Sequence, residues 1–550
     1  MKIQSVNKLF EESFRKNWGR PALSNFREQP MTYGELARSI AKIHMMYESC
    51  GIRKGDKIAI CAKNQAFWPV AFLSAMTYGA VPVPLLHEFK AGSIHHLVNH
   101  SDARALFLGD NIWDNVNMAE MPAVEACLNI NTMELEYSRR QEYRDMFDNL
   151  DEVFAGRYPS FGPSDIEYNA DKPDDLALIS YTSGSTGFSK GVMLPYRSVA
   201  YNISFAFSAE PHMGNKSRMV AMLPTAHMYG MMFDLLYEMV IGAHVVFLNR
   251  LPGPRVVKAA MEEIKPDAVI LVPMIIEKIY KNTLLPIISK KRIKWFLSVP
   301  QINKVILNSI HKEMMNAFGG AFKEVLVGGA PMNREVEAFM RRIKFPFTVG
   351  YGMTECGPII SYAPASETRL HSCGKPTKGV KVKIDSADQY NIPGEILVKG
   401  ENVFMGYYKN PQATGEAFDG DGWFHTGDMG VLDRDGFLYI KGRCKSMILG
   451  PSGQNIYPEE IESSINNLPY VAESLVIDDG GVLTALVYPD FSLMEEDGIT
   501  QDMLKPVIEE EIRTVNLTFP DYYKISKVEI FPEEFEKTPK RNIKRYLYQR

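Results

Sequence analysis

Tyr181-Thr-Ser-Gly-Ser-Thr-Gly-Phe-Ser-Lys-Gly-Val-Met193 is the stretch on which the reading of this chain turns. Apart from Tyr181 and Phe188, its first ten residues are Gly, Ser, Thr or Lys. Gly184 and Gly187 allow backbone angles that turn amide N–H groups toward an anion. Ser183, Ser185 and Thr186 add hydroxyl donors, and Lys190 adds a mobile positive charge. The apolar run Leu176-Ala-Leu-Ile-Ser180 in front of it reads as a buried strand. The loop suits phosphate, yet it is not a Walker A motif. That motif needs Gly before its Lys and Ser or Thr after it, whereas Ser189 and Gly191 flank Lys190. A polar turn between two strands has the same composition, so the neighbouring motifs must decide.

The 550 residues are enough for about three or four domains or subdomains. Apolar residues make up 45% and charged residues 23%, as in an ordinary globular protein. The formal net charge of -5 argues against a general nucleic-acid binder. Cys50, Cys61, Cys127, Cys356, Cys373 and Cys444 are scattered without a Cys-x-x-Cys pair, which points to a reduced, cytoplasmic protein without a zinc site. The amino-terminal residues show no signal-peptide pattern. One uncharged run, residues 66–86, is long enough to span a bilayer, but its prolines and Gly79 favour a buried helix followed by a strand.

Strands and helices alternate along the chain. Met31-Thr-Tyr-Gly-Glu-Leu36 opens a helix, with Thr32 as N-cap and Glu35 completing a capping box. Strands are expected at 57–62, 80–83, 103–108, 218–223, 244–248, 268–272 and 323–327, with helices at 66–79 and 230–240. Such alternation predicts parallel, helix-covered sheets. Residues 131–175 are charged and read as an irregular surface excursion. Residues 284–319 read as a helical insert with a basic patch, Lys290-Lys-Arg-Ile-Lys-Trp295. A solvated face and a membrane-surface contact both fit that patch. From about residue 390 short strands and turns predict a small β-rich unit. The last hundred residues have the pattern of a small α+β domain.

Four further stretches carry chemistry. Leu223-Pro-Thr-Ala-His-Met-Tyr-Gly230 sets His227 and Tyr229 after a strand, where parallel sheets bind ligands. Val349-Gly-Tyr-Gly-Met-Thr-Glu-Cys-Gly-Pro358 offers Tyr351 for stacking on a base and Glu355 as an oxygen ligand for Mg²⁺. In Gly422-Trp-Phe-His-Thr-Gly-Asp-Met-Gly430, Asp428 suits the two hydroxyls of a ribose. Lys441-Gly-Arg-Cys-Lys-Ser446 joins the β-rich unit to the last domain as a candidate hinge. Taken singly, His227 reads more readily as structural, and the other three have an ordinary turn as their alternative.

Their order and spacing together resemble the adenylate-forming superfamily of acyl-CoA synthetases, adenylation domains and beetle luciferases, over nearly the whole chain. The resemblance implies an α/β fold: a large N-terminal domain, 1–444, with a β-rich subdomain at about 390–444, and a mobile C-terminal domain, 445–550. It implies that Thr182, Ser183, Gly184, Ser185, Thr186, Gly187 and Lys190 wrap the β- and γ-phosphates of ATP. His227 and Tyr229 lie beside the acyl carboxylate. Gly328, Gly329 and Ala330 line the adenine, Tyr351 stacks on it, Gly352 is among the nucleotide-binding residues, and Thr354 lies near the α-phosphate. Glu355, with Thr186, holds Mg²⁺. Asp428 and Arg443 take the ribose, and Lys445 is the hinge. The implied reaction makes acyl-AMP and pyrophosphate, then a thioester with coenzyme A.

The carboxy-terminal signature departs from the family. Its Lys-Thr-x-x-Gly-Lys-Ile pattern meets Lys537-Thr-Pro-Lys-Arg-Asn-Ile-Lys-Arg545, so Asn542 stands where a lysine contacts the α-phosphate. Asn carries no charge; Lys540 or Lys544 is the candidate substitute. Val272-Pro-Met-Ile-Ile-Glu-Lys-Ile-Tyr280, the helical insert and Gly328-Gly-Ala-Pro-Met332 resemble the long-chain fatty acid–CoA ligase branch. Alternatives are a fatty-acyl-AMP ligase that loads a carrier protein and an acyl- or nucleotide-binding protein impaired in adenylation. The readings include no nucleic-acid partner, and a peripheral membrane contact through 284–319.

Overall fold

The computed structural model describes residues 3–182, 189–248, 253–450, 454–538 and 543–550. Near-continuous apolar strands must be buried on both faces, and they form parallel sheets. Val81–Leu85, Lys57–Cys61, Ala103–Leu108 and Ala126–Asn129 lie side by side in parallel, with Leu135–Ser138 antiparallel at the edge. A second sheet orders Arg218–Ala221, His244–Phe247 and Pro21–Asn25 in parallel, with Met31–Thr32 antiparallel beside them. A third sheet is wholly parallel, from Val269–Leu271, Val325–Val327 and Phe347–Val349. The strands that flank the Gly/Ser/Thr-rich stretch, Leu176–Thr182 and Lys190–Pro195, pair antiparallel, and Gly406–Tyr407 adds a third strand.

Local chemistry sets the helices. The capping box forms as expected: Thr32 N donates to Glu35 Oε2 at 2.7 Å, and Glu35 N to Thr32 Oγ1 at 3.2 Å. The uncharged run is the helix Phe67–Tyr78, buried from Trp68 to Thr77, and it ends at Gly79 in the left-handed conformation, φ 87°. Among the described residues no helix is long and apolar enough to cross a membrane. The helix after His227 starts at Met228 and contains a π-turn, Met232–Leu236, before Tyr237–Ile241. Residues 131–175 are not an irregular excursion. They hold the strand Leu135–Ser138 and the helices Gln141–Asp148 and Leu150–Arg157. Phe154, Phe161, Ile166 and Tyr168 anchor that segment in the main core. Too few of its apolar residues fall at a regular period for the pattern to show in the sequence.

The β-rich sheet is antiparallel and begins at Lys381, upstream of residue 390: Lys381–Asp385, Gly394–Lys399, Phe424–Leu432 and Leu438–Arg443. Val471–Asp478, Leu483–Pro489 and Lys527–Ile530 form the last sheet, covered by Pro458–Ile465 and Gln501–Asn516. This C-terminal unit touches the rest of the molecule at named points. Lys281 Nζ donates to Val471 O at 2.7 Å, Asn333 Nδ2 to Ser463 O at 2.7 Å, and Arg334 pairs with Glu460 at 2.6 Å.

Candidate active site

The site is built at the carboxyl ends of the wholly parallel sheet, where backbone amides and loops are free to face a ligand. Gly328 N donates to Leu271 O at 3.1 Å and Gly350 N to Val327 O at 2.9 Å, so the three strand ends are staggered at one edge. Gly329 has φ +86°, a conformation that favours glycine. A Cβ on Gly328 would come within 3.2 Å of the Tyr229 ring. The Tyr229 hydroxyl donates to Leu326 O at 3.1 Å, so the ring rather than the hydroxyl is what Tyr229 can offer a substrate. His227 occupies the N-cap position of the helix Met228–Met231 and is half-buried. Its loop is tied down by Asn64, whose Oδ1 accepts from Thr225 N and Thr225 Oγ1, both at 2.9 Å.

Tyr351, Asp428 and Arg443 come together. Asp428 and Arg443 are directly opposed across the antiparallel pair Phe424–Leu432 and Leu438–Arg443, so register alone sets carboxylate against guanidinium, 3.3 Å apart. Tyr351 donates its hydroxyl to Asp428 Oδ2 at 2.7 Å. Burial pushes the Asp428 carboxyl above the usual range, and the Arg443 charge opposes that shift. Arg443 is itself largely exposed, so its pull is weakened by water.

A second group hangs on the same loop four residues on. Glu355 is buried, and its Oε1 accepts from the Tyr407 hydroxyl at 3.1 Å. Lys190 Nζ sits 4.6 Å from the centre of the Tyr407 ring, within cation–π reach. Burial first, and the Glu355 charge second, keep the Tyr407 phenol protonated. Tyr407 thus links the phosphate-loop lysine to the carboxylate expected at the metal. It escapes a sequence reading because its signal is pairing: Tyr407 is opposite Val192, two residues after Lys190.

Three buried polar side chains hold the Tyr351–Glu355 loop in place. Asn202 accepts from Ile359 N at 3.0 Å and donates to Cys356 O at 3.3 Å. Ser198 Oγ donates to Asn402 O at 2.7 Å, and Asn402 Nδ2 to Ile359 O at 2.8 Å. All three residues are fully buried. They carry no motif, and only the fold brings them to the loop.

Gly352 and Thr354 lie on the same loop as Tyr351 and Glu355. Lys445 follows the strand Leu438–Arg443 in a turn where Ser446 N and Met447 N both donate to Arg443 O at 3.1 Å. Ala330 follows Gly329 at the strand end. Ser183, Gly184, Ser185, Thr186, Gly187, Lys540 and Asn542 lie outside the described residues. Thr182 ends the first hairpin strand and is paired with Lys190. Lys544 sits on the C-terminal unit, where its ammonium pairs with Glu536 at 2.7 Å. Lys537 and Ile543 form an isolated antiparallel bridge.

Among the described residues no cluster of three or more His, Cys, Asp or Glu side chains is arranged to hold a metal. Glu355 supplies one carboxylate, already oriented by Tyr407. A single protein carboxylate fits Mg²⁺, which takes its remaining oxygens from substrate phosphates and water.

Strand-end loops gather Asp428 with Arg443 and Glu355 with Tyr407 and Lys190, and a small C-terminal unit docks alongside, an arrangement that fits the adenylate-forming acid–thiol ligase class. A model of the AMP-binding enzyme family matches residues 10–408, and the chain belongs to that family. The chain is similar to the long-chain-fatty-acid–CoA ligase FadD15 of Mycobacterium bovis, 27% identical over 94% of this chain and 90% of that protein. It is 28% identical to long-chain-fatty-acid–CoA ligase 1 of Saccharomyces cerevisiae, over 85% of this chain and 73% of that one. It is also 26% identical to 4-coumarate–CoA ligase 2 of Oryza sativa subsp. japonica, over 86% and 80%. Among solved structures it shares its fold with the anthranilate CoA ligase AuaEII in complex with anthranoyl-AMP: TM-score 0.78, 17% identity, covering 100% of this chain and 97% of that one. The O-succinylbenzoate CoA synthetase of Bacillus subtilis, in complex with AMP, gives a TM-score of 0.74 at 22% identity, covering 98% and 97%. The enzyme uses ATP to adenylate a carboxylic acid, with CoA as the thiol substrate of its class.

Proposed function

We propose that the acid is a medium- to long-chain fatty acid, converted to acyl-AMP and then to acyl-CoA. The observation that carries the chemistry is the chain of contacts Lys190–Tyr407–Glu355 beside Tyr351–Asp428–Arg443. The acyl class is supported by relatives named as long-chain-fatty-acid–CoA ligases in a bacterium and a yeast.

In the first step a carboxylate oxygen attacks the α-phosphorus of ATP and pyrophosphate leaves. Lys190, Thr182, Ser183, Ser185, Thr186 and the amides of Gly184 and Gly187 hold the leaving phosphates. Asp428 and Arg443 hold the ribose. Tyr351, Gly352, Gly328, Gly329 and Ala330 bound the adenine, Thr354 lies by the α-phosphate, and His227 and the Tyr229 ring border the acyl group. Glu355 and Thr186 would hold Mg²⁺, which supplies charge neutralisation to the phosphates. In the second step the CoA sulfur attacks the acyl carbonyl and AMP leaves, its phosphate now the better leaving group. Positioning and charge do this work, without a protein nucleophile. Residues 1–444 and 445–550 act as separate units, hinged at Lys445. At the α-phosphate Lys540 stands in for the lysine that Asn542 replaces. Lys544 is the weaker substitute, being committed to Glu536.

A 4-coumarate–CoA ligase among the relatives favours an aryl acid as the second reading. Transfer to a carrier protein instead of CoA is the alternative acceptor. The test combines the protein, ATP, Mg²⁺ and CoA with aryl acids and acids of increasing chain length, and measures pyrophosphate and acyl-CoA. Turnover that rises with chain length is expected. Preference for an aryl acid overturns the fatty-acid reading, pyrophosphate without acyl-CoA points to a carrier protein, and no pyrophosphate with any acid rejects an active ligase.

A further inference from the structure

Residues 285–313 carry thirteen large apolar side chains (Leu, Ile, Val, Phe and Trp), yet none of the described residues in that span is buried. The span comprises the helices Leu285–Ile288 and Lys291–Ser298 and most of Pro300–Ala317, packed in sequence on one another. Trp295 is 62% exposed, Val305 69%, Ile287 46% and Ile302 36%. Leu285, Ile288, Leu307 and Ile310 pack, half-buried, against the core around the third sheet.

Three of the four exposed side chains, Trp295, Ile302 and Val305, gather at a bend. Ser298 Oγ donates to Trp295 O at 2.6 Å and Asn303 Nδ2 to Leu297 O at 2.8 Å, closing the turn between the two longer helices. Trp295, Ile302 and Val305 lie within two helical turns of it. The charge of the span is also one-sided. It holds Lys290, Lys291, Arg292, Lys294, Lys304 and Lys312 against Glu313 alone, in a chain whose formal net charge is -5.

We propose that this helical hairpin docks on an anionic lipid bilayer, its bend seated at the boundary of headgroups and acyl chains. A bilayer fits both halves of the observation. Trp and branched aliphatic side chains enter the interface, while lysine and arginine stems reach back to anionic headgroups. Neither signal alone anchors a protein, but the two together do. The contact is peripheral. It does not depend on which acid is activated, so its failure would leave the ligase reading intact.

The test is flotation of the full chain with vesicles of phosphatidylcholine alone or mixed with phosphatidylglycerol. Wild type is expected to float with the mixed vesicles and to be released by salt. Lys290→Gln/Lys291→Gln/Arg292→Gln should weaken partitioning by about 100-fold, from roughly a fivefold contribution per charge removed. Trp295→Ala/Val305→Ser should weaken it about tenfold. Both variants should keep wild-type acyl-CoA formation on detergent-dispersed acid. Equal binding of wild type and the triple variant, equal binding to neutral and mixed vesicles, or no flotation at low salt overturns the proposal. So does a wild-type dimer that Trp295→Ala/Val305→Ser dissociates, which would make the face a contact between copies.

Discussion

Tyr407 shows how one side chain ties two halves of the site. Its hydroxyl orients Glu355 and its ring lies against Lys190. Tyr407→Phe keeps the ring and removes the hydroxyl. Loss of a hydrogen bond to a charged group costs about 1.5–3 kcal/mol, so kcat/KM for ATP should fall at least about tenfold. Titrating Mg²⁺ at fixed ATP should show a raised half-saturating concentration, and Tyr407→Leu should be worse than Tyr407→Phe. At Asp428 the sign of a pH effect can be worked out. Burial raises its pKa and Arg443 opposes the rise. An ionised acceptor is therefore lost as pH falls through that raised value. Arg443→Ala removes the opposition, and the acid limb of kcat/KM for ATP against pH should move to higher pH.

At the scale of elements, the helices Tyr33–Ser49 and Phe67–Tyr78 are joined by His44, whose Nε2 donates to Ser74 O at 3.0 Å. Burial lowers the His44 pKa from 6.5 to about 4. The folded state refuses a proton that the unfolded chain accepts, so stability is full above pH 6.5 and is lost as pH falls from 6.5 toward 4. The loss approaches about 1.4 kcal/mol per pH unit at most. His44→Gln keeps an N–H donor without the titration, and its urea midpoint should vary less across that window. Elements such as these were legible in advance because burial on both faces leaves runs like Lys57–Cys61 and Ala103–Leu108 almost wholly apolar, and capping chemistry marks Thr32. Tyr351 and Glu355 stand out as candidates because they lie in one short stretch of sequence, and the structure keeps them on one loop. Tyr407, Ser198, Asn202 and Asn402 were not, since each works through a partner more than forty residues away in sequence. The segment 131–175 was misread because charged residues dominate it while a few aromatics do the packing.

For the whole molecule, the proposed hinge at Lys445 makes the balance between half-reactions depend on how firmly the C-terminal unit is held. Asn333, Arg334 and Lys281 reach across to Ser463, Glu460 and Val471. Asn333→Ala/Arg334→Ala should loosen this docking. Proteolysis near residues 444–450 should quicken about fivefold and the radius of gyration by small-angle scattering should rise, while the melting of the large core stays nearly unchanged. An intact docked profile in that variant would show that the contacts are incidental.

The π-turn Met232–Leu236 amounts to one extra residue in the helix that carries Tyr229. An added residue turns everything before it by about 100° relative to everything after it. Helix length and facing are thereby uncoupled. The buried run Tyr237–Met239 answers to the core, while Tyr229 answers to Gly328. A lineage that dropped one residue here would keep an unbroken α-helix and the same fold, but would swing the Tyr229 ring away from the strand ends. On the role proposed for Tyr229, specificity can therefore change by an indel inside a helix, not only by substitution in a loop.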